Sequence, residues 1–114
     1  MHIDSYEFGH IVIDGASLSS DCLIYGGQVK PDWWRKHGHT LSPADLQPII
    51  EAQPSVLVVG CGAYGIMKVP DNIRKLLAKH NIELETFDAG MAVERFNALS
   101  REGVDVAAAL HLTC

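Results

Sequence analysis

The feature that most limits what this chain can become is a change of period that repeats through its second half. "SVLVVG" (Ser55–Gly60) is an unbroken apolar run rich in valine, the pattern of a strand buried on both faces. "PDNIRKLLAKHN" (Pro70–Asn81) switches to helical spacing, with Ile73, Leu76 and Leu77 on one face. Pro70 and Asp71 suit its first turn, Lys79 and His80 sit at the negative end of its dipole, and Asn81 tolerates the left-handed cap conformation. "IELETF" alternates as a strand. "DAGMAVERFNALSREG" returns to helical spacing through Val93, Phe96 and Leu99, with Asp88 as the expected cap and Gly103 as the stop. "VDVAAAL" closes the series as a strand. Strand, helix, strand, helix, strand requires two crossovers and therefore parallel pairing, so an α/β sheet covered by helices is expected.

The first half reads differently. "YEFGHIVIDG" and "DCLIYGGQV" are short apolar groups punctuated by glycine, and Gly26–Gly27 is a good turn pair. Short antiparallel strands are expected there. "KPDWWRKHGHTL" reads as a loop or edge segment between Pro31 and Gly38. "SPADLQPIIEA" begins like a helix, with Ser42 as cap, Pro43 in the first position and Asp45 completing a capping box. Pro48 conflicts with this, because beyond the first turn it removes a helix hydrogen bond at about 3 kcal/mol. The helix either starts one turn later or is short and bent.

With 114 residues the chain has room for one domain, expected to span residues 1–114. Nine Lys and Arg stand against 14 Asp and Glu, and no basic run occurs, so nucleic acid is not the expected partner. No apolar run approaches the roughly 20 residues that span a bilayer. The opening "MHIDSYEFGH" lacks the cationic start and apolar core of a secretory signal, and it is not an Arg-rich presequence. A cytoplasmic protein, not embedded in a membrane, is expected. Cys22, Cys61 and Cys114 are widely spaced and odd in number, which fits free thiols.

"VLVVGCGAYG" (Val56–Gly65) has the G-x-G-x-x-G spacing of a dinucleotide turn. In that motif the third glycine opens the helix whose N-terminus faces the pyrophosphate. Here "IMKV" intervenes and the helix starts about five residues late. Glu83 and Glu85 stand near the offset of the ribose-binding acid but lie inside a strand, and Asp88 comes later. The chain also has room for barely one of the two mononucleotide halves. No NAD(P), FAD or other cofactor is expected. The glycines are accounted for by a sharp turn at the end of a buried strand. The alternative is a small-molecule pocket or small enzyme at that strand end, with Gly60, Cys61, Gly62, Tyr64, Gly65 and Lys68 as candidate ligand-binding residues.

"DWWRKHGHTLSPADL", "VLVVGCGAYGIMKVP" and "FDAGMAVERFNALSREGVDVAAALHLTC" together resemble the small Mth-type domain family. That family includes the adipogenesis-associated Mth domain proteins of animals and mitochondrial assembly factors for respiratory complex I. The resemblance covers essentially the whole chain. Its most specific part is the ending, where Phe96, Asn97, Ala98, Leu99, Gly103, His111, Thr113 and Cys114 fill the family's places. The chain departs from many relatives at Cys61, where they have threonine, and at Ala89–Gly90, where they have threonine and glycine. The resemblance implies a three-layer α/β fold with a central mixed, partly parallel sheet. It implies a partner-binding or assembly role and carries over no catalytic residue or cofactor.

Among the residues able to do chemistry, Cys61 would need an adjacent base, such as His37 or His39, to act as a nucleophile. A small buried thiol is the simpler account. "HGH" (His37–His39), with His10 or Cys61 as a third ligand, falls short of the paired spacing of a zinc site, and no metal is expected. His111 lies in the family's terminal motif and suits a hydrogen bond to the chain end. Trp33, Trp34 and Arg35 combine the residue types that dominate binding hot spots and are the candidate partner-binding residues. One tryptophan is expected on the sheet and the other exposed. No catalytic constellation is complete. The expected function is a non-enzymatic binding or assembly module, with the glycine-loop pocket as the alternative.

Overall fold

The computed structural model describes residues 1–114. Strands β1 (Ile3–Glu7), β2 (His10–Ile13) and β3 (Ala16–Leu18) form an antiparallel three-stranded sheet. β4 (Cys22–Tyr25) and β5 (Gln28–Lys30) form a hairpin. After a 3₁₀ turn at Pro43–Leu46 come α1 (Gln47–Ala52), β6 (Val56–Cys61), α2 (Asp71–Lys79), β7 (Glu83–Phe87), α3 (Ala89–Arg101) and β8 (Val106–His111). The main sheet runs β5-β4-β8-β6-β7. β6 pairs parallel with β7 and β8, as the two crossovers demand, and β4 joins β8 antiparallel. The sheet is mixed because the N-terminal hairpin is added to the parallel βαβαβ unit at β8.

The main sheet is apolar on both faces, and the pleat divides its residues between two cores. Leu23, Leu57, Val59, Ala107 and Ala109 face α1 and α2 through Leu46, Ile49, Ile73 and Leu77. Cys22, Ile24, Val56, Val58, Ala108 and Leu110 face α3 and the small sheet through Val93, Phe96, Leu99, Ile3, Ile11 and Ile13. Side chains alternate along a strand, so the continuous run of β6 fills both cores and makes three layers. Asn97 fastens the small sheet to α3. Its Oδ1 accepts from the Ile3 N–H at 2.8 Å and its Nδ2 donates to the Ile3 carbonyl at 2.8 Å.

Local signals explain the boundaries. Asp14 and Gly15 carry φ of 47° and 82°, the left-handed pair of a two-residue hairpin turn. The Asp88 carboxylate caps α3 by accepting from the Met91 N–H at 2.9 Å. The predicted helix from Ser42 divides in two. Asp45 Oδ2 accepts from the Ser42 N–H at 2.8 Å, while the buried Ser42 hydroxyl has no partner, so only half a capping box forms. The chain turns as 3₁₀ and α1 starts one turn later, where Pro48 falls in the first turn and removes no helix bond.

Candidate functional site

The residues capable of chemistry converge where β6 and β8 end side by side. His111 closes β8 opposite Cys61, and Asp21 immediately precedes β4, which flanks β8 on its other side. Asp21 Oδ1 accepts from the Leu112 N–H, and its Oδ2 lies 2.8 Å from both His111 Nδ1 and Arg35 Nη2. His111 Nε2 lies 2.8 Å from the main-chain oxygen of Cys114, which His39 Nε2 also contacts. Nδ1 of His111 thus faces both the Asp21 carboxylate and, at 3.0 Å, Arg35 Nη2, while Nε2 faces the main-chain oxygen of Cys114. The hydrogen bond to Asp21 raises the pKa of His111 against the opposing effect of burial. Burial alone would raise the pKa of Asp21, but its bonds to His111, Leu112 and Arg35 outweigh that and lower it.

A carboxylate orienting an imidazole is half of a nucleophile-activating relay. Here the second ring nitrogen is engaged by the chain itself, so the cluster holds residues 111–114 against the sheet. The same segment is held from other sides. Ala63 N–H donates to Thr113 O at 2.9 Å, and Tyr6 Oη and Gly9 N–H both donate to Leu112 O.

The glycine loop is built around this segment. Gly62 has φ +94°, and a Cβ there would lie 2.5 Å from Thr113 O and 2.8 Å from His111 Cδ2. Gly60 serves a different contact: a Cβ would lie 3.1 Å from Leu110 Cδ2 and 3.3 Å from Ala92 Cβ, so its absence lets α3 sit close to β6. Four of the amides that follow Cys61 are committed to the protein. Ala63 N–H goes to Thr113 O, Gly65 to Gly62 O, Met67 to Cys61 O and Lys68 to His39 O. Glu85 is held by Arg95 at 2.7 Å on the Nε side, and Asp88 by its capping bond.

A cavity of about 250 Å³ does lie at the ends of β6 and β7, lined by Cys61, Gly65, Thr86, Phe87, Asp88 and Arg74 among others. Of the sequence-derived ligand candidates it takes Cys61 and Gly65. Gly60 and Gly62 are packed beneath, and Lys68 bridges to Thr40. Tyr64 is exposed and meets the ring of Phe8, with centroids 6.3 Å apart.

The three partner-binding candidates lie together but play different parts. Trp33 is buried and donates its Nε1–H to Asp45 O at 3.0 Å. Arg35, only 7% exposed as a side chain, lies 4.8 Å above the Trp33 ring and reaches on to Asp21. Trp34 is 81% exposed. All three line a cleft of about 500 Å³ with Leu23, Lys30, Lys36 and Pro48.

A model of the protein family of unknown function DUF498/DUF598 matches residues 3–111. The chain belongs to that family. Among solved structures, a conserved hypothetical protein from Pyrococcus horikoshii OT3 is 27% identical and superposes with a TM-score of 0.85, covering 100% of both chains. An outer membrane protein from Bartonella henselae is 26% identical with a TM-score of 0.85, over 98% of this chain and 94% of that one. A Bordetella pertussis protein described as a Mth938-like domain shares the fold at 22% identity and a TM-score of 0.70, over 97% and 85% of the two chains. The Mth-type resemblance read from the three stretches of sequence is thereby established. No helix of this DUF498/DUF598 protein is long and apolar enough to cross a membrane.

Within this family member, sequence reasoning reached His111 and Arg35 but missed their shared anion. Asp21 stands in no motif, and 90 residues separate it from His111. Its only sequence signal is an acidic residue directly before a buried strand. The "HGH" pair is also divided by the fold. His39 turns to Cys114 O and the edge of the His111 ring, while His37 is exposed.

Proposed function

We propose that this protein is a non-enzymatic partner-binding module of assembly-factor type, acting in the cytoplasm. The observation that carries the proposal is Trp34. Its large apolar side chain stands in solvent, beside a tryptophan and an arginine that are both fixed from beneath. An exposed indole on a rigid base is the composition and geometry of an interface hot spot. The chemistry-bearing residues support the same view, because the Asp21 carboxylate and both ring nitrogens of His111 are engaged within the protein; in this cluster Arg35 Nη1 is the buried donor without a partner. Affinity capture from the protein's own cells, with wild type beside Trp34→Ser, tests it. One stoichiometric partner is expected with wild type and lost with the variant, whose folding stability should change by less than about 0.5 kcal/mol. Identical captures, or none in repeated attempts, would overturn the proposal.

A second reading rests on the cavity beside Cys61, since the ends of parallel strands are where α/β sheets commonly take ligands. Its nucleophilic form is disfavoured, because Cys61 is only 6% exposed and burial raises its thiol pKa. Cys22 is pushed up to about 12. With a thiol reagent at neutral pH, Cys114 alone is expected to react promptly in the native protein, and the other two only on unfolding. A second prompt thiol, mapped to Cys61, would restore the reactive-pocket reading. A thermal-shift panel of small anions tests its binding form, since a ligand at a hundred times its Kd adds about 2.7 kcal/mol.

A further inference from the structure

We infer that the cavity at the ends of β6 and β7 holds a small zwitterion, a free α-amino acid with an apolar side chain. The inference rests on the second reading, that of a ligand cavity beside Cys61, and names its ligand. It uses neither a reactive thiol nor Trp34. Topology places the cavity. β6 and β7 are adjacent and parallel. The chain leaving β6 goes to α2, which packs through Ile73 and Leu77 on the sheet face that carries Leu57 and Val59. The chain leaving β7 goes to α3, which packs through Val93 and Phe96 on the opposite face, that of Val56 and Val58. The two connections therefore diverge from neighbouring strand ends and leave a crevice, the switch point at which open α/β sheets take ligands.

The charges of the lining come from helices on opposite faces of the sheet. Arg74 belongs to α2 and Asp88 caps α3, and they are the only charged side chains of the lining. Both residues are exposed, and neither enters an ion pair of the fold, with the other or with a third group. Asp88 keeps its charge while it caps: Oδ1 accepts from the Met91 N–H, and Oδ2 accepts from no group of the protein. Burial raises the Cys61 thiol pKa and the charge of Arg74 lowers it, so the guanidinium stands near the end of β6. One positive and one negative group, held apart and each without an ionic partner, match a ligand that carries both signs. An anion meets repulsion from Asp88 and a cation from Arg74. Met67, Val69 and Phe87 make the rest of the lining largely apolar. A volume of about 250 Å³ lies below the roughly 300–1,000 Å³ of sites for drug-sized ligands, so the occupant is small.

The test is an NMR titration of the full chain with L-leucine. N-acetyl-leucine, which lacks the ammonium, and leucinamide, which lacks the carboxylate, are the controls. Expected are saturable shifts of the Gly65, Thr86 and Phe87 amides with leucine, and an affinity about tenfold or more lower for either control. Arg74→Gln and Asp88→Asn should each weaken leucine by a similar factor. Arg74 is exposed, and asparagine caps a helix about as well as aspartate, so both variants should fold, which circular dichroism verifies. An equal affinity for leucine and either control, or unchanged leucine binding in either variant, would overturn the inference and leave a cavity for another class of ligand. A response to inorganic phosphate without one to leucine would do the same, with the second reading still standing. No shift with any of these compounds at millimolar concentration would remove both.

Discussion

Gly62→Ala is expected to destabilise the protein by about 3 kcal/mol or more, a large fraction of the stability of a domain this size. Two independent causes add. The backbone at φ +94° is one that an L side chain adopts at a cost, and the new Cβ would stand 2.5 Å from Thr113 O, a main-chain atom. A flexible side chain could turn aside, but Thr113 O is itself held by the Ala63 N–H at 2.9 Å. Relief therefore requires residues 111–114 to lift from the sheet, which breaks the His111 contacts as well. Gly65→Ala is the control. Gly65 also has positive φ, +67°, but a Cβ there meets nothing within 4 Å, so the cost should be near 1–2 kcal/mol. Chemical denaturation of the two variants checks the ranking. Equal effects would mean that the Thr113 contact contributes nothing and that only backbone strain matters.

Asp21→Ala is the second large effect, expected at about 3 kcal/mol. The Arg35 side chain is 7% exposed and that of His111 5%, so removing their shared carboxylate leaves a buried guanidinium without its anion and the His111 ring without its Nδ1 partner. The Leu112 N–H also loses its acceptor. The same cluster dictates a pH dependence whose sign can be worked out. The native carboxyl of Asp21 is lowered below the ordinary 3.8, so its contribution is present above that pH and lost as pH falls through the native value. The native imidazole of His111 is raised above the ordinary 6.5, so its contribution is complete below that pH and lost as pH rises through the native value. The cluster therefore stabilises most between about pH 4 and pH 6.5. His111→Gln should flatten the alkaline limb of the stability profile near neutrality, and Asp21→Asn the acidic one. A wild-type profile identical to that of His111→Gln from pH 6 to 8 would refute the assignment.

The division between what was legible and what was not follows the range of the forces. Proline, glycine and Asx positions mark turns and caps through contacts a few residues long, which is why Gly26–Gly27, Asp88 and Asn81 behave as their neighbours imply. The break before α1 was legible only as a conflict between Ser42 and Pro48. It was decided when the half-formed cap yielded a 3₁₀ turn and placed Pro48 where its missing N–H costs nothing.

The glycine loop shows the limit of spacing as evidence. G-x-G-x-x-G records that three positions need conformational freedom or close approach, but not what approaches. In this chain α3 comes close at Gly60 and the main chain of Thr113 at Gly62. A sequence-local signal cannot distinguish a phosphate from the chain's own terminal segment.

By itself, the sequence determined the order of elements, the parallel pairing of the second half and the two-faced burial of β6, because each depends on local propensity or a period of two or about 3.6; the family was legible separately, as a resemblance of three stretches of residues. Tertiary structure alone decided that Asp21, Arg35, His39 and His111 would share one cluster, and that of the two adjacent tryptophans it is Trp33 that becomes the buried anchor and Trp34 the exposed surface. Those outcomes depend on contacts across up to 90 residues, where only the closed sheet brings the partners within hydrogen-bonding distance.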